Sequence, residues 1–321
     1  MYNFAVEKVN IQNDPMARKR ARGYIEGIIA SVSYGLNPLF ALPLYATGLL
    51  VDSVLFYRYA IAIVLLAGLM AMKKQSFALK KNEVLPLFVM GLLFSSSSLF
   101  LFQSFQHMDA GIASTILFVY PIIVAVIMAV FFKEKLSLPK MLAIAIAFIG
   151  ISLLYEGEGG ATLSLTGVVY VLLSSLVYAL YIVGVNQSML KDMPGLKLTF
   201  YAILFGSIIY VVRLRGCIDL QPLTTVSQWV NVTGLALFPT LISLVAITKS
   251  IHHIGSTPAA ILGALEPLTA LVVGVMVFDE RLTPSNMVGI VMILVSVTII
   301  VVGRGAWGQI TRFFRNRQRN V

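Results

Sequence analysis

A single cysteine and three histidines among 321 residues exclude a good deal of chemistry. Cys217 has no partner for an intrachain disulfide and cannot build a thiolate metal site alone. His252 and His253 are adjacent, so on a helix they project from different faces and do not grip one ion together. No metal or other cofactor is expected. Without clustered ligands or an activated nucleophile, an integral-membrane enzyme is the weaker of the readings open to this chain. Charge is scarce too, at 12% of residues, which excludes an ordinary soluble domain.

What is present instead is apolar: 58% of the chain is hydrophobic. Runs of about 20 apolar residues recur, each long enough to cross about 30 Å of hydrocarbon as a helix that satisfies its own backbone. The expected fold is all-α and integral to the membrane, with ten spans near residues 23–45, 52–72, 84–106, 110–132, 138–155, 165–187, 195–213, 229–251, 258–278 and 284–303. The net charge of +10 does not call for nucleic acid, because of where the charges lie. Of the 24 Lys and Arg, 19 fall in the two tails and in alternate loops, while Asp52, Asp109, Glu156, Glu158, Asp219, Asp279 and Glu280 collect in the other loops. Basic loops stay in the cytoplasm, so both termini are expected there, with the chain in the inner or plasma membrane. The cluster Arg18-Lys19-Arg20-Ala21-Arg22 precedes a span longer than a signal core, so no cleavage is expected. The tail after Gly303, with Trp307, Phe313, Phe314 and several arginines, suits an anionic lipid surface or a solvated coil.

The chain also repeats itself. Shifted by 146 residues, Pro267 falls on Pro121, Glu280 on Glu134, Leu282 on Leu136 and His253 on His107. A shift of 144 places Gly167 on Gly23, Tyr178 on Tyr34 and Phe200-Tyr201 on Phe56-Tyr57. Apolar helices match by chance; prolines, glutamates and aromatic pairs in one register do not. The organisation read from this is a basic cytoplasmic N-tail (1–22), a first five-helix repeat (23–157), a linker (158–164), a second repeat (165–303) and a basic cytoplasmic C-tail (304–321). Five spans is an odd number, so the second repeat is expected upside down relative to the first. Inverted repeats are a transporter architecture, with the substrate site near the midplane where they meet.

The stretch Ala259–Leu282 carries Glu266 and Pro267 in mid-span, and Ala259, Gly263, Glu266, Ala270 and Gly274 share one helix face. A charge at the bilayer centre costs about 2.5–3.5 kcal/mol, so Glu266 must face protein or water. It is the leading candidate to bind a substrate amine or carry a proton; the alternative is a structural carboxylate beside the proline break. Lys249, at the position of Gln103 in the first repeat, suits a counter-ion of Glu266, a grip on a substrate carboxylate, or a snorkelling side chain. Arg58 is read as snorkelling or pairing with Asp52 or Asp109, with a functional role as the alternative, and Glu26 as pairing with the basic N-tail. Polar and aromatic positions on corresponding spans, Tyr34, Asn37, Gln103 and Tyr178, with Tyr120 at the register position of Glu266, are candidate cavity residues. Pro121 and Pro267 are expected to break their spans, and Glu134 and Glu280 to serve loop architecture, followed by the N-caps Ser137 and Thr283.

Two five-helix repeats, each with a proline-containing fourth span followed by Glu, a basic residue, Leu and a hydroxyl residue, resemble the drug/metabolite transporter superfamily, EamA-type branch. Gly111 through Tyr120-Pro121 with Lys133 to Leu136 is similar to the first family motif, and Thr257 through Glu266-Pro267 with Asp279 to Leu282 to the second. The resemblance spans about residues 23–303. It implies export or exchange of small organic metabolites through a central cavity by alternating access, coupled to a proton or counter-substrate rather than ATP. An amino-acid-like solute is the leading expectation, since carboxylate, lysine and aromatics recur among the candidate residues. A membrane channel is the other alternative; it would want rings of charge or selectivity carbonyls.

Overall fold

In the computed structural model, residues 15–133, 138–155, 164–255, 259 and 262–299 are described, and these are helical apart from their connections. In chain order the helices are α1 (Pro15–Gly35), α2 (Asn37–Ala46), α3 (Val51–Met72), α4 (Lys81–Ser104), α5 (Ala110–Leu117), α6 (Tyr120–Phe132), α7 (Leu138–Tyr155), α8 (Leu165–Gln187), α9 (Gly195–Arg213), α10 (Val226–Leu235), α11 (Ser243–Ile254), α12 (Leu265–Phe278) and α13 (Pro284–Ile299). Seven helical stretches are long and apolar enough to cross a membrane, counting α1 with α2, α5 with α6 and α10 through α11 as single stretches. Three shorter apolar helices, Met141–Leu153 within α7, α12 and α13, occupy the remaining predicted spans. Residues 1–14, Glu134 with its neighbours to Ser137, nearly all of the 158–164 linker and the C-terminal tail lie outside the described residues. Helix α1 starts at Pro15, well before the span predicted from 23, because the Ala-, Arg- and Lys-rich lead-in consists of good helix formers after a proline suited to a first turn.

Prolines account for the breaks, and the carbonyls they free are taken by other donors. A proline cannot bond the carbonyl four residues before it. Pro38 thus frees the Tyr34 carbonyl, which accepts from Asn37 Nδ2 at 2.8 Å where α1 gives way to α2. Pro121 frees that of Leu117, which accepts from Ser175 Oγ at 3.1 Å. Pro239 frees that of Leu235, which accepts from Thr240 Oγ1 at 3.0 Å, and the segment Ala236–Ile242 between α10 and α11 widens into a π-helix. Pro267 frees that of Gly263, which accepts from the Glu266 backbone N–H at 3.0 Å. The repeat shows in the backbone, to within one residue of the 146-residue register at the breaks and in register at the helix ends. The α5–α6 break at Phe118-Val119 is matched by the turn at Gly263-Ala264 before α12, and Lys133 and Asp279 end their helices in the same left-handed conformation, at φ 56° and 54°.

Packing crosses between the two halves. Gly23 in α1 lies against His253 and Ile254 at the end of α11, and Gly167 in α8 lies against His107 and Met108 just beyond α4. Under the shifts of 144 and 146 these two contacts are the same contact with the halves exchanged. Gly23 and Gly27 are four residues apart on α1, and Gly27 meets Leu262 and Ser250, so the backbones approach closely, as small residues permit between membrane helices. Ser97 of α4 and Ser174 of α8 bond each other's backbone carbonyls at 3.1 and 2.7 Å. Two ends are distinct. At the basic end Lys197 Nζ donates to the Ala78 carbonyl, and Glu26 accepts from Arg22 Nε at 3.2 Å and pairs with His253 Nδ1 at 2.7 Å. At the acidic end Arg213 pairs with both oxygens of Asp52, and Gln228 Nε2 donates to Thr47 Oγ1.

Candidate functional site

A cavity of about 360 Å³ lies among α1, α4, α5, α6, α8, α11 and the segment leading into α12. Its wall runs from Ala30, Ile182 and Ile251 toward the basic end to Tyr34, Ser97, Tyr120 and Glu266 in mid-span. Four pairs in the wall are repeat mates: Tyr34 with Tyr178 at a shift of 144, and Ser97 with Ser243, Leu117 with Gly263 and Tyr120 with Glu266 at 146. A cavity lined by mates lies where the two halves meet. In only one of the pairs is a carboxylate set against a phenol, and that pair is Tyr120 with Glu266.

Glu266 reaches the wall because Pro267 and the Gly263-Ala264 turn start a new helix there. It is partly exposed to the cavity, and among the described residues no hydrogen bond or ion pair engages its carboxylate. The carbonyl freed by Pro267 is met by the Glu266 backbone instead, so the carboxylate is not consumed in repairing the break. Three tyrosines stand around it. Tyr120 and Tyr178 pack edge to face at 4.8 Å between centroids, and Tyr178 stacks on Tyr181 at 5.9 Å. Gly35 brings α1 against the Glu266 carbonyl and Thr269, which sets Tyr34 beside the same turn. The result is an amphipathic chamber: apolar and aromatic walls, hydroxyls from tyrosine and serine, and one carboxylate, unpaired among the described residues.

The structure gathers Glu266, Tyr34, Tyr120 and Tyr178, and leaves other sequence candidates elsewhere. Lys249 is exposed and lines clefts at the basic end, beside Lys73 and Gln75 on one side and Glu26 on the other. Among the described residues nothing joins it to Glu266; its exposed place near the end of α11 is that of the snorkelling alternative rather than of the counter-ion. Gln103 is half-buried outside the cavity wall, and Asn37 is buried at the α1–α2 break, spending its Nδ2 on Tyr34. Pro121 and Pro267 sit at the breaks as expected. Ser243 was missed, although the register pointed at it through Ser97. Glu134 lies outside the described residues.

Glu280 has a defined structural part. Its carboxylate accepts from the backbone N–H of Ala110 at 2.8 Å and of Gly111 at 3.1 Å, so a loop of the second half caps the first turn of α5 in the first half. Gly111 and Gly274 leave the room for it: a Cβ on either would strike Glu280. Thr283 Oγ1 accepts from Asn286 N at 3.1 Å and caps α13, as expected. Beyond the cavity toward the acidic end, the core closes over Tyr59, Phe102 and Tyr210, with Tyr59 donating to Ser98 Oγ and Tyr210 to the Ser95 carbonyl.

Known proteins bear on this architecture. The model of the EamA-like transporter family matches twice, over residues 21–156 and 165–302. A Bacillus subtilis protein named uncharacterized transporter YxxF is 24% identical, over 94% of this chain and 97% of its own. An uncharacterized transporter of Archaeoglobus fulgidus is 27% identical, over 60% of this chain and 68% of its own. One solved crystal structure superposes with a TM-score of 0.61 over 87% of this chain and 96% of its own, at 14% identity, a likeness of fold. With two matches covering most of its length, the chain is a multi-pass membrane protein that belongs to the EamA-like transporter family.

Proposed function

We propose that the protein is a secondary transporter that exports or exchanges a small organic solute, amino-acid-like in carrying an amine and apolar bulk, by alternating access. The carrying observation is the chamber itself: four repeat-related pairs line one cavity, and its single carboxylate, Glu266, is unpaired among the described residues. A cationic group of the solute, or a coupling proton, is what such a carboxylate holds. Ten spans in two inverted five-helix repeats fit the exchanged Gly23 and Gly167 contacts and the matched helix breaks, and they place the midplane site on the axis relating the repeats. With the basic end taken as cytoplasmic, both termini lie in the cytoplasm of a cell whose inner or plasma membrane holds the protein. The arrangement is then an inward-open one: the chamber wall extends toward the cytoplasm, while the Glu280 cap and the packed layer over Phe102 close the outer side. Nothing in this scheme calls for bond-making chemistry, which sets an enzyme aside, and a channel would need no closed layer.

Counterflow in proteoliposomes tests the reading. Vesicles preloaded with unlabelled solute should take up labelled solute faster than empty ones, and Glu266→Gln, which keeps shape and removes charge, should insert and fold yet lose most of that uptake or its pH dependence. Uptake indifferent to preloading would identify a channel, and wild-type behaviour in Glu266→Gln would remove the carboxylate from the site.

A further inference from the structure

Arg58 in α3 is only 3% exposed, inside a membrane-spanning helix, so it does not snorkel to water. Neither predicted carboxylate partner holds it. Asp52 is engaged on both oxygens by Arg213, and no hydrogen bond or ion pair links Asp109 to Arg58. Among the described residues its one hydrogen bond runs from Nε to Thr240 Oγ1 at 3.1 Å, and the guanidinium lies 5.2 Å over the Phe102 ring. A buried cation without a counter-ion is costly even after the protein relaxes around it, and intramembrane ionisable residues of this kind mark substrate paths.

Its place relative to the chamber follows from its neighbours. Thr240 is three residues before the wall residue Ser243, in the π-helix made by Pro239, and Phe102 is five residues beyond the wall residue Ser97. Both offsets lead toward the acidic end, by about 5 to 7 Å at 1.5 Å per residue. Arg58 therefore stands about one helical turn beyond the chamber. The duplication does not share either charge. The mate of Glu266 is Tyr120, and the mate of Arg58 at a shift of 144 is Ala202. Each half thus supplies one charge, of opposite sign, that its mate position lacks.

Resting on the transporter reading, we propose that Arg58 is a specificity-determining residue that receives the carboxylate of the transported solute, while Glu266 receives its amine. A guanidinium presents a planar fork of N–H donors that matches a carboxylate with two parallel bonds. Thr240 and Phe102 occupy one edge and one face of the group, and its Nη atoms have no acceptor among the described residues. Because the Phe102 ring belongs to the layer that closes the outer side, a solute carboxylate that draws Arg58 from it also loosens that layer.

The experiment is counterflow by the full-length protein in proteoliposomes, with a panel of neutral L-amino acids, each competed by its own carboxamide and its own N-acetyl derivative. The wild type should prefer acid over carboxamide at least tenfold. Arg58→Gln should lower that ratio at least tenfold while leaving discrimination against the N-acetyl derivative in place, and Arg58→Lys, with the charge but not the fork, should fall between. A merely structural arginine would change melting temperature and yield in both variants and leave the ratio untouched, and an unchanged ratio in either folded variant overturns the proposal. If the wild type exchanges amines and carboxamides as well as acids, this inference fails and the transporter reading stands; if it exchanges none of the panel, both fail.

Discussion

Single hydroxyls and amides carry much of what keeps this backbone tolerable in a membrane. Ser175 gives one proton to carbonyls of α5 and of its own helix, the Leu117 carbonyl freed by Pro121 among them. Ser175→Ala should cost about 1 kcal/mol of stability and loosen the α5–α6 break, while Ser175→Ala with Pro121→Ala should recover most of it, since the carbonyl then regains a helix donor. Unfolding in mixed detergent micelles measures both; a double variant no more stable than the single would contradict this account of the break. Glu266 was legible because a carboxylate in mid-span demands an explanation, and Tyr34, Tyr120 and Tyr178 because the register pairs them or matches them to it. Lys249 and Gln103 lie outside the chamber wall, and the sequence left this open because spacing fixes which residues share a face but not which way that face turns. For Arg58 the sequence favoured snorkelling or loop pairing, which are judged by depth, while the decisive facts, the Asp52–Arg213 pair and the layer over Phe102, join residues far apart in sequence.

At the scale of elements, the informative feature is the Glu280 loop capping α5. Burial raises the Glu280 carboxyl above the ordinary glutamate range, the N–H groups of Ala110 and Gly111 pull it back, and Asp109 pushes it up. Asp109 itself is raised by burial. A capped state whose carboxyls titrate higher than in open, solvated loops binds protons more tightly than the open state does. The cap is therefore most favoured below the ordinary carboxylate range and weakens as pH rises through the raised values. Spin labels at Gln106 and Arg281, both exposed beside the cap, should show a growing long-distance population with rising pH; Glu280→Gln should remove most of that dependence and Glu280→Gln with Asp109→Asn the rest. A distance distribution that widens on acidification would reverse the sign and refute the cap as a pH-weighted latch. The helix ends here were partly legible: Thr283 and the prolines announce themselves, whereas the α1–α2 break depends on an asparagine side chain replacing a backbone donor.

For the whole molecule, duplication in sequence has become exchange in space. The first helix of each half packs on the end of the other half's third span, and the chamber is lined by mates from both. The register was visible in the sequence; the exchange was not, because a repeat in one dimension does not say whether its copies sit apart or interlock. On the proposed transporter reading, interlocked halves move against each other, so opening one end should close the other. The most direct test places spin labels, in a Cys217→Ala background, at Gln106 and Arg281 for the acidic end and at Gln187 and His252 for the basic end, and measures both distances with and without Glu280→Ala. Removing the cap should lengthen the first distance and shorten the second together. An acidic end that opens while the basic end keeps its distance would contradict alternating access in this protein.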